Sequence, residues 1–176
     1  MSVQERFSEE ELFLLASTPN LVGTMMVFAE GSGLGTIKEM YANSKSFING
    51  AKKFPNNEII TTILPDITDM DDVKEKTKSL KEKSIEAFKE QNIKSQEEMK
   101  SYALSQLENV VSLLGEKATQ EESSEYKEWI LSILENIANA AKEGGFLGFG
   151  GERISEGEKE TFAEVANILG VDAKLG

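Results

Sequence analysis

The 176-residue chain contains no cysteine and no histidine. The first absence excludes disulfides, zinc–thiolate centres, thiol nucleophiles and redox pairs. The second removes imidazole as acid or base, and with it Ser-His-Asp and Cys-His machinery. Basic residues are scarce, 19 lysines and arginines against 31 aspartates and glutamates, for a net charge of -12. An acidic surface repels phosphates, so the expected partners include no nucleic acid and no anionic lipid. No apolar run is long enough for a membrane span, and the opening MSVQERFSEEE lacks the apolar core of a signal peptide. The expected location is cytoplasmic.

What remains is an apolar content of 39% with 28% charged residues, a globular composition. A chain of this length suits one domain, spanning residues 1–176, that buries roughly 70% of its unfolded surface. No window alternates with period two, whereas helical periodicity recurs throughout. The expected fold is therefore all-α, a compact bundle of seven to eight helices.

Three S-x-x-E capping boxes mark helix starts, at Ser8–Glu11, Ser95–Glu98 and Ser155–Glu158. Behind the first lie the apolar residues Leu12 to Ala16. Thr18-Pro19 is read as opening a second helix, because proline suits the first helical position. That helix is apolar on nearly its whole circumference, from Leu21 to Ala29, as a buried central helix would be. A third helix is expected over 36–53, and a short one from Glu58, capped by Asn56-Asn57 and closed by Pro65.

The stretch from Lys74 to Lys94 carries seven lysines and four glutamates, a local +3. Its apolar positions are sparse: Val73, Leu80, Ile85, Ala87 and Phe88. Such a helix, spanning 69–92, should lie across the outside and bury only a thin stripe. The next helix is expected to bury Met99, Tyr102, Ala103, Leu107, Val110, Val111 and Leu114, with Gly115 expected to end it. The strongest pattern follows, over 120–142, with Tyr126, Trp129, Ile130, Ile133, Leu134, Ile137, Ala140 and Ala141 on one face. The last helix presents Phe162, Val165, Ala166 and Leu169, and stops at Gly170.

Two glycine-rich corners resemble one another, AEGSGLG from Ala29 and AKEGGFLG from Ala141. They divide the chain into halves of 8–65 and 95–170, two related helical hairpins joined by the polar helix. The second corner runs on as GGFLGFGG. As a phosphate cradle it lacks the G-x-x-x-x-G-K-[ST] pattern and a preceding strand, and Glu152, Glu156 and Glu158 would repel a phosphate. It is read as a helix-to-helix connection. Phe146, Leu147 and Phe149 either plug the core or form an interaction surface.

The segment GGERISEGEKETFAEVANILGVD is similar to the second half of tellurite-resistance TerB-like domains. Their repeated pattern is A-x-A-D-G-x-I-S-x-x-E. Ile154, Ser155 and Glu158 match its later part, and Ala29-Glu30-Gly31 looks like a degenerate first copy. The ending KEGGFLGFGG with its S-x-x-E also resembles a group of uncharacterised prokaryotic helical proteins. The TerB-like resemblance implies helical halves, a divalent cation held by acidic residues beside the turns, and a stress-response role. The chain departs from the pattern where its aspartate would stand, with Gly150 and Gly151 in one half and Glu30 in the other.

If the two corners face each other, Glu30, Glu39, Glu143 and Glu158 converge into oxygen-only ligation suited to calcium, magnesium or manganese. For Glu158 the competing reading is reciprocal capping. No residue pair stands out as catalytic, and no organic cofactor motif is present. The function expected is non-catalytic, acting through self-association or contact with another protein. The alternatives are a TerB-like cation-binding domain and a carboxylate-based hydrolase.

Overall fold

The computed structural model describes residues 2–29, 47–142 and 154–175. Within them lie eight helical segments and no strand, so the fold is all-α. The helices are α1 (Val3–Arg6), α2 (Glu9–Phe28), α3 (Gly50–Lys53), α4 (Glu58–Ile63), α5 (Met70–Glu90), α6 (Gln96–Lys117), α7 (Gln120–Lys142) and α8 (Glu156–Leu169).

The centre of the bundle is α2, which packs against α6, α7 and α8. Its apolar circumference is the cause. Leu15, Val22, Met26 and Val27 are each at most 1% exposed, and a helix hydrophobic all round is stable only when surrounded. The expectation that no apolar run is long enough for a membrane span does not hold for this uninterrupted 20-residue helix. By length and composition it is the one described helix that could cross a membrane, and 56% of that stretch is buried inside the bundle.

The expected break at Pro19 does not occur. One helix runs from Glu9 to Phe28 with Pro19 inside it. Proline has no N–H, so the carbonyl of Leu15, four residues back, loses its helical donor. The Tyr126 hydroxyl of α7 donates to that carbonyl at 2.6 Å, in a fully buried setting. Thr18 Oγ1 meanwhile donates to the Leu14 carbonyl at 2.8 Å. The break is repaired from outside the helix, and local sequence does not carry that information.

Gly115 also fails to stop its helix, since α6 continues to Lys117 and ends at Ala118 in an extended conformation. The chain then turns through Thr119 into α7. Gly170 behaves as expected, with φ of 67° after α8. Asn92 plays the same left-handed role after α5, at φ 52°.

Of the eight apolar residues expected on one face of α7, the six from Tyr126 to Ile137 are buried, Ala140 is half-buried and the Ala141 side chain lies outside the described residues. The four expected on α8 are buried. Trp129 and Tyr126 are 0% exposed and meet edge to face at 5.5 Å. Phe47 also packs against Trp129, tilted by 38° with ring centroids 5.5 Å apart. The backbone of Gly50 lies so close to the indole that a Cβ there would run into Nε1. That nitrogen is buried and finds no hydrogen-bond partner among the described residues.

Candidate functional site

Of the four carboxylates expected to gather around a cation, only Glu158 falls among the described residues. Glu30, Glu39 and Glu143 lie outside them, as do Phe146, Leu147, Phe149 and both glycine corners. Glu158 is 1% exposed. Its Oε2 accepts from the Ser155 amide at 2.7 Å and from the Ser155 hydroxyl at 3.0 Å, and the Glu158 amide donates back to Ser155 Oγ. Those contacts are the reciprocal capping box. Among the described residues, no three acidic side chains gather as a metal would require.

The flanks of the two corners do meet. Gly157, in the first turn of α8, sits against the end of α2, and a Cβ there would strike the Ala29 carbonyl oxygen. Glycine at this position is what lets α8 approach the backbone of α2.

A second cluster forms where α1 meets the α6–α7 turn. Two further capping boxes build it, at Ser2–Glu5 and Thr119–Glu122, both readable as S/T-x-x-E but not singled out from the sequence. Glu122 receives both Arg6 terminal nitrogens, Nη2 to Oε1 at 2.6 Å and Nη1 to Oε2 at 2.9 Å. The same Nη1 donates to the Lys117 carbonyl at 3.1 Å, satisfying the end of α6. Hydrogen bonding to Arg6 holds the Glu122 carboxyl at about 2, although burial pushes the other way. Asn57, itself 0% exposed, caps α4 through its oxygen and donates to the Glu122 carbonyl at 3.1 Å. Both terminal nitrogens of Arg6 are engaged, while its Nε is buried without a hydrogen-bond partner among the described residues, and the cluster reads as a clip joining α1, α4, α6 and α7. It offers no free reactive group.

The third feature is concave. A groove of about 510 Å³ opens between α2 and α5, with the end of α4 closing one side. Leu12, Phe13 and Ala16 form its α2 wall, Phe47 and Ile63 line it further, and Leu80 faces it from α5. Its size falls in the range of small-molecule sites, roughly 300–1,000 Å³.

The α5 wall of the groove lies on the outside of the bundle, with Leu80 at its middle half-buried against the core. No residue of α5 is buried. Near its start, Asp69 caps the helix, and Lys76 donates to the Leu64 carbonyl at 3.0 Å while pairing with Asp72 at 3.5 Å. Near its end, Phe88 meets Tyr102 of α6 edge to face at 5.8 Å. Between these points the half-buried stripe is thin, as its sparse apolar spacing implies. Ile85, expected among the apolar positions, is 43% exposed.

The sequence alone does not reveal the groove. The half-exposed spacing of Leu12, Phe13 and Ala16 marks an incompletely covered face of α2, but no sequence signal pairs that face with Leu80. Comparison with protein-family models, curated proteins and solved structures gives no match to the chain.

Proposed function

We propose that the chain is a non-catalytic helical domain of the cytoplasm that works through protein contacts, a second copy of itself being the favoured partner. The observation that carries this reading is the exposed side of α5. The large hydrophobic residues standing exposed among the described residues are Ile67, Met70 and Ile85, all on α5 or just before it. Lys74, Lys78, Lys81 and Lys89 join Ile85 on one exposed side at helical spacing.

This helix is the basic part of an acidic chain. Residues 74–94 carry +3 within a net charge of -12, which leaves -15 elsewhere. A second copy therefore presents the opposite sign, and two identical chains can pair reciprocally around a two-fold axis. The apolar residues would supply the buried centre of such a contact and the lysines its rim. The reading is tested by light scattering after size exclusion across micromolar concentrations. A dimer that weakens with added salt supports it, and a monomer at every concentration refutes it.

A further inference from the structure

We propose that the groove between α2 and α5 is a binding site for an elongated apolar molecule that ends in an anion, a long-chain carboxylate being the simplest member of the class. The proposal does not depend on self-association, which uses the opposite side of α5.

Shape and lining set the apolar part. The groove follows α2 from Glu9 to Asn20, about 16 Å at 1.5 Å per residue. Its wall of Leu12, Phe13, Ala16 and Leu80 belongs to residues only half buried by the fold, so an apolar guest would remove that surface from water. An elongated tail fits a trough better than a compact ring system does. Because α5 has no residue buried in the core, its wall can adjust to the guest without breaking the bundle.

The charges at the rim set the head group. Glu9, Asp72, Glu75, Lys76 and Lys83 border the groove. Asp72 and Lys76 neutralise each other, and Lys76 is further committed to the end of α4. Glu9 and Glu75 are exposed to solvent. Lys83 is exposed as well, and its ammonium stands 5.8 Å from the centre of the Phe13 ring of the apolar wall. It makes no ion pair among the described residues. Glu10, a carboxylate that accepts from the Ser8 hydroxyl at 2.9 Å, is near enough to attract the Lys83 ammonium, and an anionic guest would compete with it. An ammonium beside an apolar trough is suited to a carboxylate whose tail lies in the trough.

The chain carries its own reporter. Phe47 lines the groove and touches Trp129, the only tryptophan. Dodecanoate, kept below its micellar concentration, is the probe, with dodecyltrimethylammonium as the control of equal tail and opposite head. The expected result is a saturable change in Trp129 fluorescence with dodecanoate. The unfolding midpoint should rise by about 5 °C at a hundredfold excess over Kd. Ala16→Phe, which fills the groove, should abolish both responses, and Lys83→Glu should weaken dodecanoate by about fivefold or more while leaving the fold intact. Equal binding of the two amphiphiles overturns the head-group assignment. A dodecanoate response unchanged by both substitutions, or no saturable response at all, overturns the site. Co-sedimentation with anionic phospholipid vesicles, without binding of monomeric dodecanoate, overturns it in favour of a membrane surface.

Discussion

The Tyr126 hydroxyl donates 2.6 Å to the Leu15 carbonyl, which Pro19 leaves without its own helical donor. One side chain on α7 thus completes the hydrogen bonding of the central helix, across 111 residues of sequence. Burial raises the Tyr126 pKa well above its usual value, so the hydroxyl stays a donor at any physiological pH.

Tyr126→Phe should therefore cost about 1–3 kcal/mol, the penalty for a buried acceptor left unpaired. In a Pro19→Ala background the restored N–H can serve the Leu15 carbonyl, and the same change should cost less than half as much. Urea unfolding of the four proteins gives the coupling directly. Additive losses would show that the Tyr126 hydroxyl contributes independently of the donor that Pro19 lacks.

The Arg6–Glu122 clip makes stability dependent on acid. Glu122 titrates near 2 in the folded chain against an ordinary 4.5, so the folded state favours its charged form. The resulting stability is complete above about pH 4.5 and is lost as pH falls from there through 2. Its size is of the order of 3 kcal/mol. Glu122→Gln should be destabilised by about 2–4 kcal/mol at pH 7 and should lose much of that acid dependence. Chemical unfolding at pH 7, 4 and 3 measures both effects.

Three glycines should respond differently to alanine. At Gly157 the new methyl meets backbone, the Ala29 carbonyl, and α8 must shift, at a cost of about 2–3 kcal/mol. At Gly50 it meets the Trp129 indole, a side chain in a packed core, and should cost about 1–3 kcal/mol with altered fluorescence. At Gly115 nothing lies within 4 Å. Replacing this glycine in the last turn of α6 should stabilise by up to about 0.5–1 kcal/mol. Thermal unfolding of the three variants tests that order.

Hydrogen exchange should separate α5 from its neighbours. A helix with no buried residue opens at lower free energy than α2, α6 or α7. Its amides are expected to exchange at least tenfold faster than those of α7. Equal protection would mean that α5 unfolds only with the whole bundle.

For the proposed self-association, Ile85→Glu and Lys81→Glu each reverse the character of the exposed side of α5. Both should convert the dimer to monomer without lowering the unfolding midpoint of the isolated chain by more than about 2 °C, since neither residue is buried.

Helix starts and packed faces were legible because their signals are local. The boxes at Ser8, Ser95 and Ser155 all form, and the faces of α7 and α8 follow from spacing alone. Pro19 and Gly115 misled for one reason in two forms. Each is a local breaker whose effect depends on its setting, a distant tyrosine in one case and a continuing helical ladder in the other. The groove escaped notice because it is a gap between α2 and α5, and a gap has no residues of its own. The carboxylates Glu30, Glu39 and Glu143 and the aromatic residues at 146 and 149 stay as expectations from sequence, outside the described residues. Glu158 takes the capping geometry its S-x-x-E box foretold.

The link between Leu15 and Tyr126 also bears on how the protein is made. During synthesis, α2 leaves the ribosome long before its partner, because the donor for its open carbonyl lies 111 residues downstream. In that interval a greasy 20-residue helix with a proline in its middle has neither α6 nor α7 to cover it. Nascent chains arrested before residue 120 should therefore associate with holding chaperones and be cut readily by proteases. Chains extended past α8 should be released and resistant.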